Sequence, residues 1–117
     1  MGRNQQIGQR AEALACRYLQ RRGLVLLARN YRCRGGEIDL IMSHGDSLVF
    51  VEVRYRRGSR FGTGAETVDR RKQARIIACA SQYLQQHPSA AVLAPRFDVI
   101  ALTGDARVQW IPDAFGA

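Results

Sequence analysis

Two carboxylates, Asp39 and Glu52, stand in short apolar runs on either side of a turn signal. The runs are Ile38 to Met42 and Leu48 to Val53, and His44-Gly45-Asp46-Ser47 separates them. Gly followed by Asp at the centre of a two-residue loop predicts a β-hairpin, because Gly supplies the positive φ that such a turn requires. Counting outward from the turn places the two carboxylates opposite each other on one face of the sheet.

Two directly opposed side chains lie about 4.5–5.5 Å apart, so this pair would concentrate negative charge at one point. Such a pair is costly in apolar surroundings unless a cation or a proton neutralises it, and Mg²⁺ is commonly held through one or two carboxylates. The alternative is a hairpin whose acids lie on a wet face. Against it, Val49, Val51 and Val53 fill the other face, while Ile41 and Phe50 share the face of the carboxylates. Apolar residues on both faces favour a buried strand and hence a metal site.

The charge of the chain points to an anionic partner. The 117 residues fit one domain, spanning 1–117, with 46% apolar and 24% charged residues. Lys plus Arg number 18 against 10 Asp plus Glu, a net charge of +8, and Lys72 is the single lysine. Arginine recognises phosphate through its planar fork, and this balance favours nucleic acid or an anionic surface.

The candidate DNA-binding arginines fall in three segments, and a solvated charged surface is the alternative in each. The first segment is a predicted loop, the second is the Arg- and Gly-rich loop from Tyr55 to Ala65, and the third is the first half of a helix. In order, the residues are Arg29, Arg32 and Arg34; Arg56, Arg57 and Arg60; and Arg70, Arg71 and Arg75. Cations oppose the dipole at a helix N-terminus, so the third group suggests a bound anion.

Periodicity predicts an α/β domain with a mixed central sheet flanked by helices. The predicted elements, besides the hairpin, are a helix over Asn4–Arg22, a strand over Leu24–Ala28, a helix that Thr67 caps and that runs to Gln86, and strands over Arg96–Leu102 and Val108–Ile111. Glu12 falls at the flank of the apolar stripe of the first helix, where an ordinary edge position is one interpretation. Asp98 is expected to be a structural or a surface acid.

The cysteines and the hydropathy predict a cytoplasmic protein. Three cysteines, Cys16, Cys33 and Cys79, without a C-x-x-C spacing are typical of reduced thiols. The sequence has neither a secretory apolar region nor a run of 18 apolar residues, so no membrane partner is expected.

The succession GEIDLI, VFVEVR and a helix containing Lys72 resembles the YraN-type family of uncharacterised bacterial proteins. That family is similar to the archaeal Holliday-junction resolvases and to the PD-(D/E)XK, restriction-endonuclease-like superfamily. The resemblance covers nearly the whole chain, including Gly8–Glu12, Arg29–Arg32 and Arg96–Val99. It implies a restriction-endonuclease-like fold, a Mg²⁺- or Mn²⁺-dependent endonuclease acting on DNA, branched DNA in particular, and a symmetric homodimer.

The resemblance also implies roles for individual residues. Asp39 and Glu52 would hold the metal together with the carbonyl of Val53, and Glu12 would be an outer ligand or would orient water. The superfamily pattern has Lys at position 54, where this chain has Arg54. Arginine can stabilise negative charge on a phosphate but stays protonated and cannot act as a base.

Lys72 is a further catalytic candidate, because it lies in the first turns of the helix after the hairpin and carries a long side chain. Two other functions stay open. The intact carboxylate pair favours catalysis, whereas Arg54 favours a nucleic-acid-binding module without turnover. A basic adaptor that binds an acidic protein is the third.

Overall fold

The computed structural model describes residues 3–58 and 68–116. Five strands form one mixed sheet in the order β1-β2-β3-β4-β5, and only the β3–β4 pair is parallel. The elements are α1 (Arg3–Arg21), β1 (Val25–Cys33), β2 (Gly36–His44), β3 (Ser47–Arg56), α2 (Arg70–Gln86), a 3₁₀ turn (Pro88–Val92), β4 (Ala94–Thr103) and β5 (Val108–Phe115). The predicted mixed α/β fold is confirmed, and it is consistent with a restriction-endonuclease-like architecture.

The two helices cover opposite faces of the sheet. On the α1 side, Ala15 and Leu19 pack with Leu40, Val51 and other side chains. On the α2 side, the buried stripe of the helix packs against a second cluster centred on the strands. The members of that stripe are Ile76, Cys79, Ala80 and Tyr83. Because both faces are covered, the middle of β2 and β3 is buried on both sides, as the apolar residues on both faces of the hairpin predict.

The β2–β3 hairpin has the predicted register. Gly45 has a φ of 58° at the turn, and the pairs run from His44 with Ser47 to Leu40 with Val51. The regular pairing ends there, one position before Asp39 would face Glu52. The carboxylates therefore lie where the two strands stop forming their ladder.

The predicted boundaries of β1 and β3 were wrong. β1 continues through Cys33, so Arg29 and Arg32 lie on a strand and not in a loop, because long pairing with β2 outweighs the local polar composition. β3 likewise continues through Arg56, held by the parallel β4. The predicted cap Thr67 lies outside the described residues, as does Arg60.

Asp69 is the observed cap of α2. Its carboxylate accepts a hydrogen bond from the Lys72 backbone N–H at 2.8 Å. That bond satisfies a free donor of the first turn and places one negative charge beside the arginines of α2.

Cys33 and Cys79 form a disulfide, which corrects the prediction of reduced thiols; Cys16 is free and buried. The two paired residues are 46 positions apart but have a Cα–Cα distance of 5.5 Å, within the range a disulfide requires. The bond joins the end of β1 to α2. Neither described helix combines the length and the apolar character needed to cross a bilayer.

Asp98 is fully buried, so the structural one of its two predicted interpretations is confirmed. Arg96 donates two hydrogen bonds to it at 2.9 Å, and the indole N–H of Trp110 donates a third at 2.9 Å. The backbone N–H of Asp113 adds a fourth at 3.0 Å. This fully bonded carboxylate holds β4 to β5.

Candidate metal and phosphate site

Asp39 lies at the opening between β2 and β3. Its side chain is 8% exposed, and its Oδ2 accepts a hydrogen bond from the backbone N–H of Val53 at 2.8 Å. In a continued hairpin that N–H would bond to the backbone of β2. A side chain thus replaces a backbone acceptor, and this replacement keeps the carboxylate between the strands.

Glu52 lies on the same opening and is neutralised by Lys72. Its side chain is 6% exposed, and its Oε1 is 3.0 Å from the Nζ of Lys72. The ammonium group extends from the third position after the α2 cap, Asp69. The side chain of Lys72 therefore reaches the candidate site, as its position in the chain suggested.

Burial and the Glu52 carboxylate raise the pKa of Asp39 from its ordinary value of 3.8 to about 8. Burial is the larger cause, and the Val53 N–H opposes the shift. Glu12 and Glu37 add smaller contributions that raise the pKa further. A divalent cation would relieve the same repulsion, because it favours the charged form of each carboxylate.

Glu12 and Glu37 complete an acidic cluster with Asp39. One carboxylate oxygen from each of the three lies within 4.8 Å of the others. Mg²⁺ and Mn²⁺ prefer such oxygen ligands, so the donor set fits a hard divalent ion. The cluster differs from the predicted set: Glu37 joins it, while Glu52 is paired with Lys72. The carbonyl of Val53 as a ligand stays a prediction.

Glu12 is held in place from the first helix. The side-chain amide of Asn30 on β1 donates a hydrogen bond to its Oε1 at 2.9 Å. Asn30 has a φ of 50°, a conformation that Asn tolerates better than most residues. Its neighbours Arg29 and Tyr31 pair with Leu40 and Ile38, which flank Asp39. An edge position alone does not explain this contact.

Glu37 and Asn30 are the site residues that the sequence prediction missed. Glu37 is exposed and forms an ion pair with Arg32, at 3.7 Å between Nε and Oε2. An ion pair between such exposed groups adds little stability. The signal for Glu37 was its place two residues before Asp39, since alternate residues of a strand share a face. No local pattern identified Asn30, because its role depends on α1.

Two clefts meet at Asp39, Glu52 and Lys72. One, of about 340 Å³, opens toward α1 and is also lined by Glu12 and Arg54. The other, of about 250 Å³, opens toward α2 and is also lined by Glu37, Arg75, Ile76 and the two glycines before Glu37. The carboxylates are thus reached from both faces of the sheet, which is possible because the strands separate here.

The remaining predicted arginines that the structure describes lie on several elements of the fold. Arg29, Arg32 and Arg56 are exposed on strands, Arg34 and Arg57 are exposed in turns, and Arg70, Arg71 and Arg75 are exposed on α2. Of these, only Arg75 lines a cleft that contains the carboxylates. Binding of DNA by these residues stays a prediction.

Comparison with known proteins places the chain in a family. A family model described as "Uncharacterised protein family UPF0102" matches residues 11–102. A UPF0102 protein of Nitrosococcus oceani is 53% identical over 111 residues, which cover 92% of this chain and 90% of the relative. A UPF0102 protein of Aeromonas hydrophila is 55% identical over 109 residues, covering 92% and 83%. One of Coxiella burnetii is 48% identical over 110 residues, covering 94% and 92%. The chain therefore belongs to the uncharacterised protein family UPF0102.

Proposed function

We propose that the chain is a Mg²⁺- or Mn²⁺-dependent endonuclease that hydrolyses phosphodiester bonds in DNA, branched DNA in particular. The observation that supports this most directly is the carboxylate cluster of Glu12, Glu37 and Asp39. It lies beside the Glu52–Lys72 pair in a cleft open from both faces of the sheet. The acidic cluster suits a bound divalent cation, and the net positive charge of the chain suits a phosphate that such a cation would contact.

The carboxylate oxygens of the cluster would hold the ion. A divalent ion bound there would supply positive charge to the scissile phosphate and make a water molecule more acidic. Asp39 is oriented by the Val53 N–H and Glu12 by the Asn30 amide, so little reorganisation is needed. Glu12, less buried than Asp39, would orient the attacking water from the α1 side.

Two cations line the cleft beside the acids. Arg54 and Lys72 both line the cleft that contains Glu12 and Asp39. Arg54 would donate hydrogen bonds to a phosphate oxygen and stabilise its growing charge. Lys72 forms an ion pair with Glu52 and would contribute a second positive charge. Since Arg54 cannot release its proton and the Lys72 ammonium group cannot accept another, a proton leaving the water must pass to a carboxylate or to solvent.

Cleavage assays with purified variants test this proposal. End-labelled duplex, single-stranded and four-way-junction DNA are incubated with Mg²⁺, Mn²⁺ or EDTA. We expect cleavage in either metal, none in EDTA, and a loss of about a hundred-fold or more in Asp39→Asn. Asp46→Asn is the matched control, because Asp46 is exposed at the other end of the same hairpin. Cleavage that persists in EDTA, or equally in both variants, would contradict the proposal.

Calorimetric titration of Mn²⁺ separates metal binding from turnover. We expect wild type and Asp46→Asn to bind one ion and Asp39→Asn to bind it much more weakly. If wild type does not bind Mn²⁺, the proposed metal site is wrong.

A DNA-binding module without turnover is the second candidate. The ion pair between Lys72 and Glu52 favours it, because Lys72 already neutralises one of the two buried carboxylates. The arginine at position 54 favours it too. Salt-sensitive DNA binding by a wild type that is inert with both metals would support this second function.

A further inference from the structure

A separate groove lies between α1 and the end of the sheet formed by β3, β4 and the β4–β5 turn. It has a volume of about 380 Å³. Two large side chains line it and stay unusually exposed: Leu14 on α1 is 49% exposed, and Tyr55 on β3 is 42% exposed. Leu102 and Val108 form part of the opposite wall. The groove thus offers an apolar surface to a bound molecule.

Three arginines of α1 line the same groove: Arg10, Arg17 and Arg21. Their spacings of seven and four residues correspond to about 10 Å and 6 Å along the helix. All three are exposed, and none forms an ion pair with another residue in the described part of the chain. The described lining contains no acidic residue. An occupant must therefore be both anionic and partly apolar.

The groove adjoins the carboxylate site. Ala11 and Tyr55 line both the groove and the α1-side cleft that contains Glu12 and Asp39. A chain molecule that fills the groove can thus continue to the carboxylates without leaving the surface. Because the groove and the carboxylate cleft are neighbours, a polymer that occupies both is favoured over an isolated small anion.

We propose that this groove binds unpaired nucleobases of the DNA strand whose phosphodiester bond lies at the carboxylates. The inference rests on the proposed function and names its substrate class: DNA with a single-stranded segment next to the reacting bond. Bases and phosphates together supply the apolar and anionic character, and proteins that hold single strands combine a basic groove with aromatic side chains. In an uninterrupted duplex the bases are stacked and paired, so their faces are not available to Leu14 and Tyr55.

The groove therefore gives a physical basis for a preference for branched or frayed DNA. The strand that leaves a junction or a frayed end exposes bases within reach of the apolar wall, while its phosphates meet the arginines. An acidic peptide with apolar side chains has similar chemistry. It is disfavoured because the groove leads to a metal and phosphate site, and the experiment below includes it.

Binding to oligonucleotides with and without bases tests the inference. Fluorescent 12-mers of three kinds are titrated in EDTA: single-stranded thymidine, a single strand of abasic sites, and duplex. We expect wild type to bind thymidine at least about ten-fold more tightly than the abasic strand, since stacking of one or two bases supplies that difference. Equal affinity for the two single strands would overturn the inference.

Variants of the groove assign the difference to its residues. Leu14→Ser and Tyr55→Ala should weaken thymidine binding about five- to ten-fold and leave abasic binding unchanged. Leu27→Ser is the matched control, because Leu27 is 45% exposed on β1 and does not line the groove. Circular dichroism and thermal unfolding verify that each variant is folded. Thymidine binding that is unaffected by both groove variants would also overturn the inference.

An acidic 12-residue peptide of Asp and Phe serves as a competitor. Displacement by the peptide at lower concentration than by unlabelled thymidine 12-mer would assign the groove to a protein partner and overturn the inference. Because these titrations contain EDTA, they do not depend on the metal site. A wild type that binds thymidine more tightly than the abasic strand but cleaves no DNA would contradict the proposed endonuclease and leave the groove. A wild type that cleaves DNA but binds both single strands equally would contradict the groove and leave the endonuclease.

Discussion

The carboxylate of Asp39 accepts a hydrogen bond from the backbone N–H of Val53 at 2.8 Å. A side chain on β2 thus serves as the acceptor that a backbone carbonyl of β2 would provide in a continued ladder. The hairpin ladder ends at Leu40 and Val51, and both clefts open at this point. One hydrogen bond thus ends the strand pairing and holds an acid at its end. Because the Asp39 carboxylate takes the place of a backbone acceptor, the candidate site lies between the strands, where it is buried.

Stability of the metal-free protein should fall as pH rises through the range set by Asp39. The folded pKa of about 8 lies above the ordinary 3.8, so the folded state keeps a proton that the unfolded state loses. The resulting loss in the free energy of unfolding is absent below about pH 4, grows by up to about 1.4 kcal/mol per pH unit, and is constant above about pH 8. We expect Asp39→Asn to gain stability over wild type progressively between these limits, measured by urea unfolding in EDTA.

The control for this measurement is Asp46→Asn, because it removes an exposed carboxylate at the other end of the same hairpin. A difference between wild type and Asp39→Asn that stays constant with pH would show that Asp39 is not buried with a raised pKa.

Removal of Lys72 should destabilise the protein because it leaves the Glu52 side chain, 6% exposed, without its cation. We expect Lys72→Met to lower the free energy of unfolding by about 1–3 kcal/mol at pH 7, less than for a fully buried pair because the Lys72 side chain is 35% exposed. The double variant Lys72→Met/Glu52→Gln should recover most of the loss. Arg71→Met, at the exposed neighbouring position, is the control. A double variant as unstable as Lys72→Met would mean that the two residues are not coupled.

Arg54→Lys should raise metal-dependent cleavage, and Arg54→Ala should lower it. Both cations can stabilise a phosphate, but only lysine can also take part in proton transfer. We expect each change to alter the single-turnover rate about ten-fold and DNA affinity less. The assay is single-turnover cleavage with excess protein. Cleavage that is the same in wild type and Arg54→Ala would exclude a catalytic role for this residue.

Reduction of the Cys33–Cys79 disulfide should lower stability. The bond closes a loop of 46 residues, and such cross-links typically contribute about 2–4 kcal/mol by restricting the unfolded chain. Guanidinium unfolding with and without dithiothreitol measures the effect. Cys33→Ser should be insensitive to the reductant, and Cys16→Ser should remain as sensitive to the reductant as wild type. Two reactive thiols at Cys33 and Cys79 in the untreated, oxidised protein would contradict this prediction.

DNA binding should weaken steeply with salt. Each phosphate contact on duplex DNA adds about −0.9 to the slope of log affinity against log salt. We expect Arg56→Gln/Arg57→Gln to make that slope less negative by about 1.8. Arg22→Gln is the control, because Arg22 stacks on the Tyr18 ring at 3.5 Å and bonds to the Tyr18 carbonyl. A salt slope that is unchanged by the double variant would show that Arg56 and Arg57 do not contact phosphates.

The sequence by itself determined the features that depend on near neighbours in the chain. Gly45 at a two-residue turn set the register of the hairpin, because turn geometry fixes which residues pair. The apolar stripe of α2 followed from the helical period, and Gly23, with a φ of 93°, follows the end of α1. The mixed α/β class follows from that order of elements.

The tertiary structure decided the features that join distant segments. Pairing with β2 and β4 extended β1 and β3 beyond their apolar runs, and it turned two predicted loops partly into strand. The contacts of Lys72 with Glu52 and of Asn30 with Glu12 join residues 20 and 18 positions apart. The pairing of Cys33 with Cys79 spans 46. Local pattern carries no information on such contacts, because they depend on how α1 and α2 pack on the sheet.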